Sequence, residues 1–175
     1  MDTLKDRIPD YARDLRLNIS SVLTPQGAPG LTEAQLWMIA FASAIASRNA
    51  ELARMVETDA APRLSHAQIE AARSAAAIMG MNNVYYRFLH LVEDEEYAKL
   101  PARLRMNVIG SPGIPKVDFE LVSLAVSAVN GCGKCVTAHE RVLRQHEVSR
   151  EAVQSAVRIA SVIHAVAGVL DYEAA

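Results

Sequence analysis

An all-α fold is what this sequence predicts, on three grounds. Half of its 175 residues are apolar but only 5% are aromatic, and alanine, valine and leucine dominate, a mixture that favours closely packed helices over a β-sandwich. Helix-start and helix-stop signals recur along the chain. No stretch alternates apolar and polar residues for long enough to require a strand.

The elements follow in order. Pro9 fits the first turn of a helix to about Val22, since a missing N–H does no harm there. TPQGAPG (24–30) is a turn-rich break. Thr32 and Gln35 form a capping box that opens an apolar helix through Ser47, and Ser65 and Gln68 form a second, opening a helix through about Gly80. SPGIPK (111–116) breaks the chain again, and Asp118 is expected to cap the next helix, through Asn130. Gly131 interrupts, a new helix starts near Cys132, and Ser149 caps the last long one, through about Leu170.

The chain also resembles itself. At an offset of 84, AFASAI (40–45) lies over LAVSAV (124–129), and LSHAQIEAARSAAAIM (64–79) over VSREAVQSAVRIASVI (148–163), pairing the caps Ser65 and Ser149. The expectation is a single domain, residues 1–175, built from two repeated helical units at approximately 35–82 and 119–166. At that offset Cys132, Cys135 and His139 fall on Arg48, Glu51 and Met55. Only the second unit carries the thiols, which favours chemistry over packing as their role.

Charge and hydropathy narrow the classes. A net charge of −2 gives no field for nucleic acid or an anionic membrane. The longest charge-free apolar runs, Ala34–Ser47, Leu121–Gly133 and Ile159–Leu170, fall short of the ~20 residues that a bilayer span needs. The N-terminal MDTLKDRIPDYARDLRL alternates acids and bases and does not read as a signal peptide. The expected setting is cytoplasmic, where neighbouring cysteines serve catalysis or metal binding more often than structure.

NGCGKCVTAHE (130–140) holds both cysteines, the chain's only two. On a helix starting near Gly131, Cys132, Cys135 and His139 share one face, with His139 one turn beyond Cys135. Free N–H groups and the macrodipole of the first turn favour a thiolate, and such placement can take a cysteine from ~8.5 into the range ~3.5–7.5. Lys134 adds a nearby cation on a different face. Glu120 stands in the otherwise apolar FELVSLAVSAV and is either a solvated first-turn acid or a proton relay. Three readings of the cysteines stay open: a redox pair, an inert pair of buried thiols, and a zinc site, for which C-x2-C-x3-H supplies three of four ligands. His66, His90, His146 and His164 form no ligand spacing, and Met79 and Met81 read as core filler.

With Glu120, Cys132, Cys135 and His139 assembled as E-x11-C-x2-C-x3-H, the chain resembles the alkyl hydroperoxidase D (AhpD) family of the carboxymuconolactone decarboxylase-like superfamily. LNISSVL (17–23), QLWMIAFASA (35–44), AAAIMGMNNVYYR (75–87), LRMNVIGSPGIPK (104–116) and AHE (138–140) carry the likeness along the chain. The resemblance implies an antioxidant thiol enzyme that binds no cofactor, reduces small-molecule hydroperoxides and regenerates a partner peroxiredoxin, AhpC. Electrons would come from dihydrolipoamide, as lipoyl groups on the acyltransferase subunit of a 2-oxoacid dehydrogenase complex. It implies a homotrimer, with Cys135 oxidised to sulfenic acid, Cys132 resolving it as a disulfide, and His139 and Glu120 relaying protons. Some members of that family carry histidine where this chain has Lys134, which cannot shuttle protons as imidazole does. The same superfamily offers another expectation, a cofactor-free lyase of the carboxymuconolactone decarboxylase type with Glu120 and His139 as acid and base.

Overall fold

The computed structural model describes residues 2–175, and no strand occurs among them. The α-helices are α1 (Asp2–Lys5), α2 (Arg13–Val22), α3 (Glu33–Ala46), α4 (Ala50–Ala60), α5 (His66–Leu91), α6 (Glu95–Lys99), α7 (Asn107–Gly110), α8 (Lys116–Val129), α9 (Gly133–Gln145) and α10 (Arg150–Glu173). The predicted all-α class is what the chain adopts.

Two helices make the centre. Every residue from Leu36 to Ala44 of α3 and from Phe119 to Ser127 of α8 is buried. A helix apolar on all sides needs neighbours all round. Here α3 and α8 pack on each other and on both long helices, α5 and α10. The long helices meet this centre with alanines, Ala71, Ala72, Ala75 and Ala76 from α5 and Ala156 and Ala160 from α10, so the backbones approach closely. Phe41 and Phe119 fill the remaining space, each burial contributing roughly 1.5–3 kcal/mol.

The caps fall where the sequence puts them. Thr32 and Ser65 form complete capping boxes with Gln35 and Gln68, and Ser149 accepts from the Ala152 amide at 3.0 Å. Four local expectations change. Pro9 precedes a single 3-10 turn, Asp10–Ala12, before α2 begins. The helix after Ser149 runs past Leu170 to Glu173. Asp118 is not the cap of α8: Pro115 takes that position, and Asp118 in the first turn accepts from Gln35 Nε2 at 2.7 Å, tying α8 to α3. Gly80 does not end its helix, and α5 continues for eleven more residues to Leu91. An interior glycine costs about 1 kcal/mol, and the packing of α5 on α8 and α9, with Met79 buried, outweighs that. The extension brings Asn82, Asn83 and Arg87 beside the cysteines.

Helices α3 and α8 each have 14 residues and end alike: Ser47 and Asn130 as C-caps, then Arg48 and Gly131 at φ 64° and 68°, then Asn49 and Cys132 as N-caps of α4 and α9. These ends correspond at 83 residues, whereas Ser65 and Ser149 correspond at 84. In this register Cys132, Cys135 and His139 face Asn49, Leu52 and Val56 rather than Arg48, Glu51 and Met55. Leu52 and Val56 are wholly buried apolar residues, so the imidazole and second thiol occupy what are core positions in α4.

By length and composition α10 suffices to cross a membrane, which the count of charge-free runs had excluded. Half of its most apolar window is buried in this fold, against α2, α3 and α8.

Candidate active site

The turn between α8 and α9 places the sulfurs. Gly131 adopts the left-handed region, where a side chain would clash with its own carbonyl. Its N–H donates to Ala128 O at 3.1 Å and that of Cys132 to Ser127 O at 3.1 Å, the paired bonds of a Schellman stop. Cys132 then becomes the N-cap of α9, and its Sγ accepts the Cys135 N–H at 3.4 Å. Both cysteines are free thiols with their Sγ atoms 2.7 Å apart. A disulfide requires ~2.05 Å, so bridging needs only a small approach.

Helix α5 braces the turn from the side. Asn83 Nδ2 donates to Ser127 Oγ and Asn130 Nδ2 donates to Asn83 Oδ1, both at 2.9 Å. Arg87 Nη1 donates to the Asn130 carbonyl at 2.7 Å. Together these three bonds tie α5 to the α8–α9 turn and favour one geometry there.

Glu120 and His139 meet across the same two helices. Glu120 lies ten residues before Asn130 and His139 nine after it, each roughly 14 Å from the turn at 1.5 Å per residue. Folding α9 back along α8 therefore pairs them, His139 Nδ1 to Glu120 Oε2 at 2.7 Å. Glu120 is 5% exposed, so it is no solvated first-turn acid. A carboxylate at Nδ1 holds the proton on that nitrogen, leaving Nε2 of the neutral ring to accept another.

A cavity of about 250 Å³ opens between α5, α7 and α9, lined by Met79, Asn82, Tyr86, Met106, Cys135 and His139 among others. The wall is largely apolar, and Tyr86 Oη points at Met106 Sδ from 3.8 Å. Cys132 is wholly buried, so Cys135 is the sulfur that this cavity reaches. A larger, open groove of about 820 Å³ shares Lys134 and Ala138 with it, is lined by Glu93, Asp94 and Glu95, and contains no cysteine.

The expected lowering of the Cys135 pKa is overturned. Burial, with the hydrogen bond to Cys132 adding to it, pushes the Cys135 thiol up to about 11, against the downward pull of Asn83 and Lys134. The thiol is thus the resting form at neutral pH. Lys134 stands close enough to favour the thiolate, but as the weakest of these influences.

Compared with known proteins, the chain is 57% identical over 175 residues to alkyl hydroperoxide reductase AhpD of Rhodospirillum centenum, covering all of this chain and 92% of that one. It is 55% identical to the protein of that name from Gluconacetobacter diazotrophicus, over all of this chain and 94% of that one. The chain belongs to the AhpD family. A Streptomyces griseus AhpD agrees, 56% identical over 99% of this chain and 97% of its own. Residues 95–175, which hold both cysteines, His139 and Glu120, match the carboxymuconolactone decarboxylase family.

All four site residues read from the AhpD-like motif come together, as two contacting pairs along one pair of helices. Among the described residues no hydrogen bond joins His139 to either sulfur; the two share the cavity wall instead. Nor do three or more His, Cys, Asp or Glu side chains converge there in an arrangement suited to a metal ion. Sequence reasoning missed Asn82, Asn83, Arg87, Tyr86 and Met106. The signal available was the Asn82-Asn83 pair inside an apolar helical stretch, which a stop at Gly80 had excluded.

Proposed function

We propose that this chain is an alkyl hydroperoxide reductase that works through its Cys132–Cys135 pair. The observation that carries this reading is the 2.7 Å sulfur contact, with Cys135 opening onto a largely apolar cavity that also holds His139. The names of the relatives support the substrate class.

In the proposed cycle an alkyl hydroperoxide enters with its alkyl part against Met79, Tyr86 and Met106. The Cys135 proton passes to His139 Nε2, and Glu120 stabilises the imidazolium at Nδ1. The thiolate attacks the terminal peroxide oxygen: an S–O bond forms, the O–O bond breaks, and the alkoxide takes the proton and leaves as alcohol. Cys135 is now sulfenic acid. Cys132 condenses with it, releasing water and forming the disulfide. A dithiol, dihydrolipoamide on a lipoylated acyltransferase, reopens the bridge by exchange and is itself oxidised. The peroxiredoxin AhpC is the further electron acceptor in this reading, and the cytoplasm its setting. The homotrimer is what the family resemblance implies; exposed apolar side chains at Val84, Phe88, Leu91, Leu100 and Leu104 would suit a contact between copies, whatever their number.

The test is a thiol titration. Two free thiols per chain should vanish on adding cumene hydroperoxide and return with reduced lipoamide, and Cys135→Ser should abolish turnover. Full lipoamide-dependent turnover in that variant overturns the reading. Turnover measured with and without AhpC separates direct reduction from relay. The 2.7 Å Glu120–His139 pair also favours a cofactor-free lyase. Activity retained after both cysteines are replaced by serine would select that alternative.

A further inference from the structure

Four buried polar side-chain atoms have no hydrogen-bond partner among the described residues: Arg16 Nε, Ser43 Oγ, Ser123 Oγ and Asn82 Oδ1. Of the residues that carry them, only Asn82 lines the cavity with Cys135 and His139. Asn82 is 4% exposed, and an orphaned carbonyl at that depth is destabilising. Its neighbour on α5 gives the contrast. Asn83 is equally buried, and its amide is tied to Ser127 and Asn130. The Asn83 amide holds the fold; the Asn82 amide holds nothing in the protein.

We propose that the Asn82 carboxamide binds the peroxy group of the hydroperoxide in this cavity, accepting its O–H and donating N–H to its other oxygen. The chemistry is complementary. A hydroperoxide presents one donor and adjacent acceptors, and a primary amide offers an acceptor and two donors side by side. No hydrogen bond restrains the side chain, and its terminal torsion is broad and nearly two-fold, so either edge can be turned to the ligand. Donation to the oxygen that becomes alkoxide strengthens as the O–O bond breaks, the kind of contact that raises turnover. The amide does not titrate, so it holds the peroxy group without competing with His139 for protons. This inference rests on the hydroperoxide-reductase reading and names the residue that orients its substrate.

The experiment replaces Asn82 with near-isosteric leucine, and separately with alanine and glutamine, in the full-length reduced protein. Three quantities are read: turnover of cumene hydroperoxide with reduced lipoamide, dithiol–disulfide exchange with lipoamide alone, and the Tm. Asn82→Leu should lose tenfold or more in peroxide turnover, slow exchange at the cysteines by much less than that, and keep or raise the Tm because an unpaired polar group has gone. Glutamine should restore part of what alanine and leucine lose. Wild-type peroxide turnover in all three variants overturns the proposal while leaving the reductase reading intact. A fall in Tm together with loss of exchange overturns it in favour of a structural role. Failure of the wild-type protein to reduce the peroxide at all removes the reductase reading itself.

Discussion

Glu120 illustrates how much one side chain is asked to do. Buried in α8 and joined to His139 at 2.7 Å, it is placed to fix the ring's tautomer and, in the proposed cycle, to balance the charge that the ring would gain on taking a proton. Glu120→Gln keeps the shape and removes the charge, so peroxide turnover should fall by about 10²-fold, within the range for acid–base partners. Thiol counts and helix content should stay as in the parent; unchanged steady-state rates would dismiss the relay. The four motif residues were legible in the sequence because cysteine, histidine and an acid in an apolar stretch are each conspicuous. Asn82 and Asn83 were not, because which atoms a buried asparagine bonds, or leaves unbonded, is set only in three dimensions. The sulfur's proton affinity was also illegible: the first-turn dipole is local and readable, whereas burial by α5 is tertiary.

At the scale of helices, local signals predicted well wherever the cap chemistry was complete. Thr32, Ser65 and Ser149 each present a hydroxyl to an amide three residues on, and each begins a helix. Signals failed where packing outweighed propensity. Gly80 sits exposed in mid-helix, with nothing within 4 Å of where a Cβ would stand. Gly80→Ala should therefore stabilise the protein by roughly 0.5–1 kcal/mol, through restricting the unfolded chain and favouring helix. Urea denaturation with unchanged m-value checks it, and a destabilised variant would show that the outer face of α5 is covered in solution. The one-residue difference in register between helix ends could not be read from identities alone, since alanine-rich segments match almost equally well one residue apart.

For the molecule as a whole, Cys135 couples the protonation of one buried thiol to stability. Its folded thiol holds the proton up to about pH 11, above the ordinary value of 9.0. Between these limits the unfolded chain binds fewer protons than the folded one, so stability falls as pH rises through that window. Below pH 9 this contribution is fully present. Reduced protein should accordingly lose stability from pH 9 to 11 more steeply than Cys135→Ser, as followed by chemical denaturation at stepped pH. Equal slopes would show that burial does not hold the proton.

The sulfur of Cys132 serves two neighbours at once, the Cys135 amide and the Cys135 thiol. Bridging recruits that atom covalently and alters its capacity to accept from nitrogen, so oxidation should loosen or reshape the opening turn of α9. Amide exchange at position 135 would then read the oxidation state directly, an intrinsic gauge that requires no dye, no substrate and no enzymatic assay.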